Sequence, residues 1–297
     1  MGAVTIRRHQ ARGSWVGAIA AVLAIAAVLP FAGIPAAAQA DSQASSNWSG
    51  YVAHRSGLRF RRVTGEWTQP SPNCAGGSLP SYSSTWVGLG GYSFSSLAVE
   101  QVGTELDCTI AKRSSSSAWY EILPAPAKKI RLRVSSGDEM SASVTVFGGL
   151  VSLRLTDRTA KKTFSKSFRT TAIDVTSADW IVEAPTVCDG YGDCQTLPLA
   201  NFGTVHMTHA RAQTAAGRWG SIASPLWQAT RITLLPDPFG YTPDEMVGTS
   251  TPSPLGPAGE AFDVSYAQTQ ASSLPGVCTA RLAAPSGAVS PGGPRRR

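Results

Sequence analysis

Short runs of alternating β-branched and aromatic residues, closed off by Gly, Ser, Pro and Asn, dominate this chain beyond residue 40, and helical periodicity is scarce. Ile130 to Val134, Ser141 to Phe147, Val151 to Leu155, Thr163 to Phe168, Trp180 to Val182 and Arg231 to Leu235 all have this form. Each run has one face to bury, and the turn residues between runs bring the next strand back beside the last. The pattern predicts an all-β, antiparallel sandwich or barrel, and roughly 200 to 250 residues in one such domain is ordinary.

Residues 1–40 read as an address rather than as part of that domain. Arg7, Arg8 and Arg12 form a basic start, Trp15 to Leu29 is almost wholly apolar, and Ala38-Gln39-Ala40 is a small-x-small cleavage site. A signal peptide at 1–40 and a secreted, extracellular product are expected. The competing reading is an uncleaved anchor, because the apolar run approaches spanning length; the small-residue site and the lack of a stop-transfer charge cluster favour removal and no stable membrane association. Arg7-Arg8 lacks the apolar residues that follow a twin-arginine signal.

The full chain carries a formal charge of +7, and cleavage after Ala40 takes away three arginines and no acid, leaving +4. Arg295, Arg296 and Arg297 account for most of that, and no basic residues interleave with aromatics, so nucleic acid is not expected as a partner. Charged residues are 15% of the chain, against about 25% in ordinary soluble domains. Fewer carboxylates leave fewer groups whose protonation unfolds a protein in acid.

Five cysteines in an exported chain imply disulfides and one thiol left over. Cys188 and Cys194 enclose the turn-rich DGYGD, and Cys74 and Cys108 flank the segment around Trp86, which makes these the candidate pairs. Cys278 is then a free thiol or an intermolecular link, and the sequence leaves the connectivity open.

An ordered series of motifs runs from Asn47 to about Tyr266: SSNWSGYVA, WVGLGG, VEQVGTELDC, WYEILPAP, ADWIVEAP, LANFGTVHMTHA and AFDVSY. The series resembles the glutamic peptidases, the eqolisin family. The resemblance implies a concanavalin-like β-sandwich of two curved antiparallel sheets spanning 41–266, with the site on a concave face. It implies an acid endopeptidase that acts on proteins or peptides with no cofactor and no metal and resists pepstatin; a monomer is expected. Residues 267–297, mostly Ser, Ala, Pro and Gly without an aromatic, are expected to be a flexible tail.

By the same resemblance Gln101 and Glu183 are the catalytic pair. Strand alternation puts Gln101 with Val99 and Gly103, and Glu183 with Asp179 and Ile181. An uncharged amide beside a carboxyl suits peptide hydrolysis in acid. Glu183 can take a proton from attacking water and return one to the departing amine, while the Gln101 NH₂ donates to the oxyanion. Trp48, Trp86 and Glu121 match cleft residues of the family that contact substrate, and alternation groups Glu121 with Trp119 and Leu123. Against each stands a plainer role: an exposed strand Gln or Glu, or a core tryptophan. The chain departs from better-known members at Gly90 and Glu105, where they carry aspartates, and at Ile122-Leu123, where they carry an aromatic pair. Only seven residues separate Ala40 from Trp48, too few for a fungal-style propeptide.

Other constellations carry less. His206 and His209 invite a zinc reading, but i and i+3 face opposite sides of a strand and no HExxH accompanies them. His54 lacks a GxSxG partner, and Asn47-Trp48-Ser49 fits the N-glycosylation pattern. A carbohydrate-active enzyme built on Glu121 and Glu183 and a noncatalytic binding module using the tryptophans are the rival functions. The first leaves Gln101 without a role, and the second tolerates loss of Glu183.

Overall fold

The computed structural model describes residues 40–75, 80–93, 95–188, 194–237, 241 and 244–274. Residues 1–39, where a signal peptide is expected, Cys278 and the chain from 275 onward lie outside the described residues.

Antiparallel strands form one hydrogen-bonded path that folds into two packed layers. One arm is β10 (Lys162–Arg169), β9 (Leu150–Asp157), β8 (Glu139–Phe147), β3 (Phe60–Thr68), β14 (Thr204–Thr214) and β18 (Phe262–Gln270). The path crosses β17 (Met246–Pro252) and β16 (Gln228–Leu234) into the other arm. That arm is β2 (Trp48–His54), β11 (Ser177–Glu183), β4 (Ser81–Gly90), β5 (Val99–Cys108), β6 (Ser114–Ile122) and β7 (Ala125–Ile130). Short β1 (Asp41–Ser45) pairs in parallel with β16, so the sheet is not wholly antiparallel. The β12 (Thr186–Cys188) and β13 (Cys194–Thr196) ribbon stands apart, closed by Cys188–Cys194, and Cys74–Cys108 is the second disulfide.

Alternation explains the core. In β8 and β9, Met140, Ala142, Val144, Val151, Leu153 and Leu155 point inward while their neighbours meet solvent. Strands β2, β11, β4 and β5 differ: nearly every residue is buried on both faces. Ala178, Trp180 and Val182 of β11 enter the main core between the layers, whereas Ile181 joins a separate apolar cluster with Trp48, Val52, Trp86, Trp119 and Ile232 on the outer face. That covered outer face holds the site.

Two expected boundaries move. The run Ile130 to Val134 contributes only its first residue to β7; Arg131 to Val134 keep the in-out alternation, with Leu132 and Val134 buried, but the ladder stops at the Ala118–Ile130 pair. At the other end the last strand passes Tyr266. Residues 267–270 pair with β17, and Ala271 and Leu274 pack on Val247. The expected tail therefore starts too early, because ladder hydrogen bonds are made by backbone whatever its side chains and two small apolar contacts suffice to seat the end.

Candidate active site

Register builds the site. On β4, Gly88 lies opposite Gln101, which lies opposite Glu121 on β6, so both side chains emerge from the same outer face. Trp86 lies between Ile181 and Gly103, and Glu183 lies between Ser84 and Trp48. Gln101, Glu183, Trp48, Trp86 and Glu121 thus share one face, with Trp119 beside Glu121. Leu123 falls outside this set, because β6 ends at Ile122 and a register irregularity follows Tyr120.

The Trp86 indole spans this face. Its Nε1 donates to Glu183 Oε2 at 2.8 Å. Its Cζ3 edge lies over Gly88, where an added Cβ would sit 2.9 Å from it and 3.2 Å from Gln101 Cβ. Gly103 is equally constrained: a Cβ there would come within 2.2 Å of Thr85 O and 2.6 Å of Trp86 Cβ. Trp48 crosses Trp86 edge-on, ring centroids 5.1 Å apart.

Both carboxyls are nearly sealed from water, Glu183 at 6% exposure and Glu121 at 2%. Asn47 Nδ2 donates to Glu183 Oε1 at 3.2 Å. Burial pushes Glu183 up to about 8; the Trp86 donor pulls the other way, the Glu121 charge adds to the rise, and the Trp48 indole and Asn47 amide pull down. Gln101 Nε2 donates to Glu121 Oε2 at 2.7 Å. Burial raises Glu121 to about 7, against the Gln101 donor and the nearby Ala127 amide. Glu105, in the Glu183–Ser84 row, is also raised to about 7 by burial and by the Asp107 charge, with Lys129 opposing. Trp119 Nε1, Gln101 Oε1 and Glu121 Oε1 have no protein hydrogen-bond partner. Buried polar atoms left over on one face are what a surface built to receive polar backbone presents.

The sequence departure at Gly90 has a spatial counterpart. Gly90 has φ 80°, and a Cβ there would lie 2.6 Å from Asp174 Cβ and from Asp174 O. The Asp174 carboxylate fills this space, accepting hydrogen bonds from Ser96 Oγ, Gly91 N (3.3 Å), Thr176 N (2.8 Å) and Thr176 Oγ1 (2.7 Å). No motif flagged Asp174, since it reaches Gly90 from the loop before β11. Asn47 was visible only as part of NWSG and as a glycosylation site. Its residue is 1% exposed and its amide nitrogen serves Glu183, so the folded chain offers no free acceptor for a sugar.

The remaining candidates lie elsewhere. His54 Nε2 bonds Thr230 Oγ1 at 2.8 Å. His206 pairs with Asp263, and His209, at φ 49° in a register shift of β14, faces Glu66. Among the described residues no group of His, Cys, Asp or Glu is arranged to hold a metal ion.

Residues 46–233 match the Peptidase A4 family. Among solved structures, scytalido-glutamic peptidase with a transition state analogue inhibitor is 25% identical at TM-score 0.60, covering 75% of this chain and 98% of that one. SCP-B, an eqolisin family member in complex with the tripeptide Ala-Ile-His, is 24% identical at TM-score 0.58 over the same shares of 75% and 98%. Aspergilloglutamic peptidase from Aspergillus niger is 23% identical at TM-score 0.50, covering 63% and 99%. No curated protein matches the chain by sequence.

Proposed function

The chain belongs to the Peptidase A4 family, the eqolisin or glutamic peptidases, and from that footing we propose that it is a secreted acid endopeptidase whose reaction is carried by Glu183 and Gln101. The observation that carries this reading is the outer face itself: a carboxyl held by two N–H donors and an amide oriented by a second carboxyl share it, with Trp86 reaching from one to the other.

The pKa near 8 leaves Glu183 protonated in acid. A neutral carboxyl can work through both oxygens at once. As water attacks the scissile carbonyl carbon, one Glu183 oxygen takes a water proton and the other gives its own proton to the carbonyl oxygen. Negative charge developing on that oxygen is met by the Gln101 NH₂, which does not titrate. The neutral gem-diol then collapses as Glu183 passes its proton to the amide nitrogen and takes one back from a gem-diol hydroxyl; the C–N bond breaks, giving a free acid and a free amine, and Glu183 ends neutral as it began. Glu121 acts by fixing the Gln101 amide, and Trp48, Trp86 and Trp119 form the apolar cluster beneath the face on which an extended peptide would lie.

Peptide substrates follow from the family. Export is proposed from the signal-like residues 1–40, and two disulfides suit an oxidising compartment. A monomer is proposed, and a carbohydrate-active role for Glu121 and Glu183 is set aside by the family match. The test is cleavage of unfolded casein by the chain beginning at Asp41, at acidic and neutral pH, with and without pepstatin and EDTA. Cleavage that is present in acid, is lost as Glu183 ionises above neutral pH and survives both reagents is expected; a rate that rises with pH through 8, or loss in EDTA, overturns the reading.

A further inference from the structure

Ser45 ends strand β1 and is 1% exposed, as is Asn47 two residues on. The Ser45 hydroxyl donates to Asn47 Oδ1 at 3.1 Å and accepts from Asn47 N at 3.3 Å and Trp48 N at 3.1 Å. A hydroxyl has one proton and two lone pairs, so all of Ser45 is engaged. Because both lone pairs already meet N–H groups, its proton can go only to an acceptor, and this decides which end of the Asn47 side chain faces it. The Asn47 oxygen turns toward Ser45, and the NH₂ turns toward Glu183 Oε1 at 3.2 Å. Flipping the amide would set N–H against the Ser45 O–H and lose that bond. The backbone fixes the same corner: Ala184 N donates to Asn47 O at 2.8 Å, immediately after Glu183, and Leu235 N donates to Ser45 O at 2.8 Å.

Resting on the reading of Glu183 as the acid/base, we propose that Ser45 and Asn47 are positioning residues that hold the Glu183 carboxyl in its working orientation, with Ser45 at the end of β1 and Asn47 in the bend that follows it. Trp86 restrains one carboxyl oxygen and Asn47 the other, so the plane of the group is fixed from two sides. Ser45 opens the SSNWSGYVA motif, and alternation along the strand gives it no role there. Its place comes from β1 lying parallel to β16, with Ser45 opposite Leu234.

The charged surroundings of Glu183 are few. Glu121 on β6 raises it, and Glu105 on β5 shares its row across Ser84. The neighbouring β4 brings Ser84 and Trp86; His54 of β2 and Asp41 of β1 lie at the opposite ends of their strands, His54 opposite Ser177 and Asp41 opposite Thr230. Asn47 is therefore one of the few donors that favour the ionised form, and its loss moves Glu183 upward.

The experiment compares Asn47→Ala, Ser45→Ala and Glu183→Gln in the full chain, measuring kcat and KM on a quenched-fluorescence peptide from pH 3 to 10, with melting temperatures alongside. Asn47→Ala is expected to lower kcat about 10-fold or more, the scale of a hydrogen bond to a charged group. KM should stay within about 2-fold, and the limb of the profile governed by Glu183 should move to higher pH. Ser45→Ala should shift both readouts the same way by less. A merely structural role would lower the melting temperature without moving the limb. If Asn47→Ala melts below the assay temperature, Ser45→Ala decides by the same two readouts. Wild-type kcat and an unmoved limb beside an inactive Glu183→Gln would overturn the relay alone. An active, folded Glu183→Gln would overturn the catalytic reading and the relay with it.

Discussion

Trp86 donates its indole N–H to Glu183 Oε2 across a single strand boundary, at 2.8 Å, while the opposite edge of the same ring lies over Gly88 beside Gln101. One side chain thus orients the Glu183 carboxyl and reaches from it to the Gln101 amide. Gly88 is what allows an indole to lie there, because a Cβ would come within 2.9 Å of its Cζ3, and Gly103 makes room for Thr85 O and the Trp86 Cβ.

Trp86→Phe should separate these two duties. Phenylalanine keeps an apolar floor and removes the donor, so Glu183 should titrate higher and kcat should fall about 10-fold or more, with KM changed less. A fall confined to KM would make Trp86 a substrate contact and not an orienting one.

Glu183→Gln should abolish peptide cleavage and leave the fold intact. The replacement keeps the shape that Asn47 and Trp86 grip and removes the ability to exchange protons. Since a buried, raised carboxyl becomes a neutral amide, the melting temperature at neutral pH should not drop and can rise. Casein cleavage at the wild-type rate by the folded variant would sink the mechanism.

Gln101→Ala should lower kcat by about 10²-fold or more with a smaller change in KM, as for loss of an oxyanion donor. It also strips Glu121 of its Nε2 donor, a bond of 2.7 Å, so Glu121 should titrate above its present position. Gln101→Glu should be poor as well, because it would set a second carboxyl against Glu121. An effect on KM alone would reassign Gln101 to substrate positioning.

Much of this architecture is legible in the chain because alternation and turn residues are local. Ser141 to Phe147, Val151 to Leu155 and Thr163 to Phe168 announce β8, β9 and β10 to within a few residues. WVGLGG and ADWIVEAP announce the two site strands by the tryptophans and glycines that their packing demands. What stays hidden depends on distant partners. Asp174 fills the space at Gly90 from 84 residues away, and the Asn47 amide acts on a carboxyl 136 residues away. Neither has a periodicity to betray it. Arg131 to Val134 misleads for the converse reason: its alternation is a true burial pattern, but no neighbouring strand pairs with it.

Stability should fall as pH rises from about 4 toward 9. Buried carboxyls of the native state are raised, Glu100 to about 9, Glu183 to about 8, Glu105 and Glu121 to about 7, with Asp107 and Asp179 also lifted, in each case chiefly by burial. In the unfolded chain such groups titrate near about 4. Between those limits the native state holds protons that the unfolded chain has released, so stability is full below the unfolded values and is lost as pH climbs through the native ones. Melting temperatures at pH 4, 6 and 8 in constant ionic strength measure this. A flat or rising series would show that the carboxyls ionise in place.

The C-terminal boundary can be located by truncation. A chain ending at Tyr266 loses the four β18 residues that lie opposite Met246 to Thr249, together with the contacts of Ala271 and Leu274 on Val247. Burying a leucine and an alanine is worth about 2–4 kcal/mol, and the loosened β17 is the strand that joins the two arms of the sheet. A chain ending at Leu274 keeps all of this and removes Cys278 as well. The Tyr266 truncation should therefore melt several degrees lower, while the Leu274 truncation should match the chain beginning at Asp41 in melting temperature and casein cleavage. Equal stability of the two truncations would mean that the last turn of β18 and its small cluster contribute nothing, and that the domain does end at Tyr266.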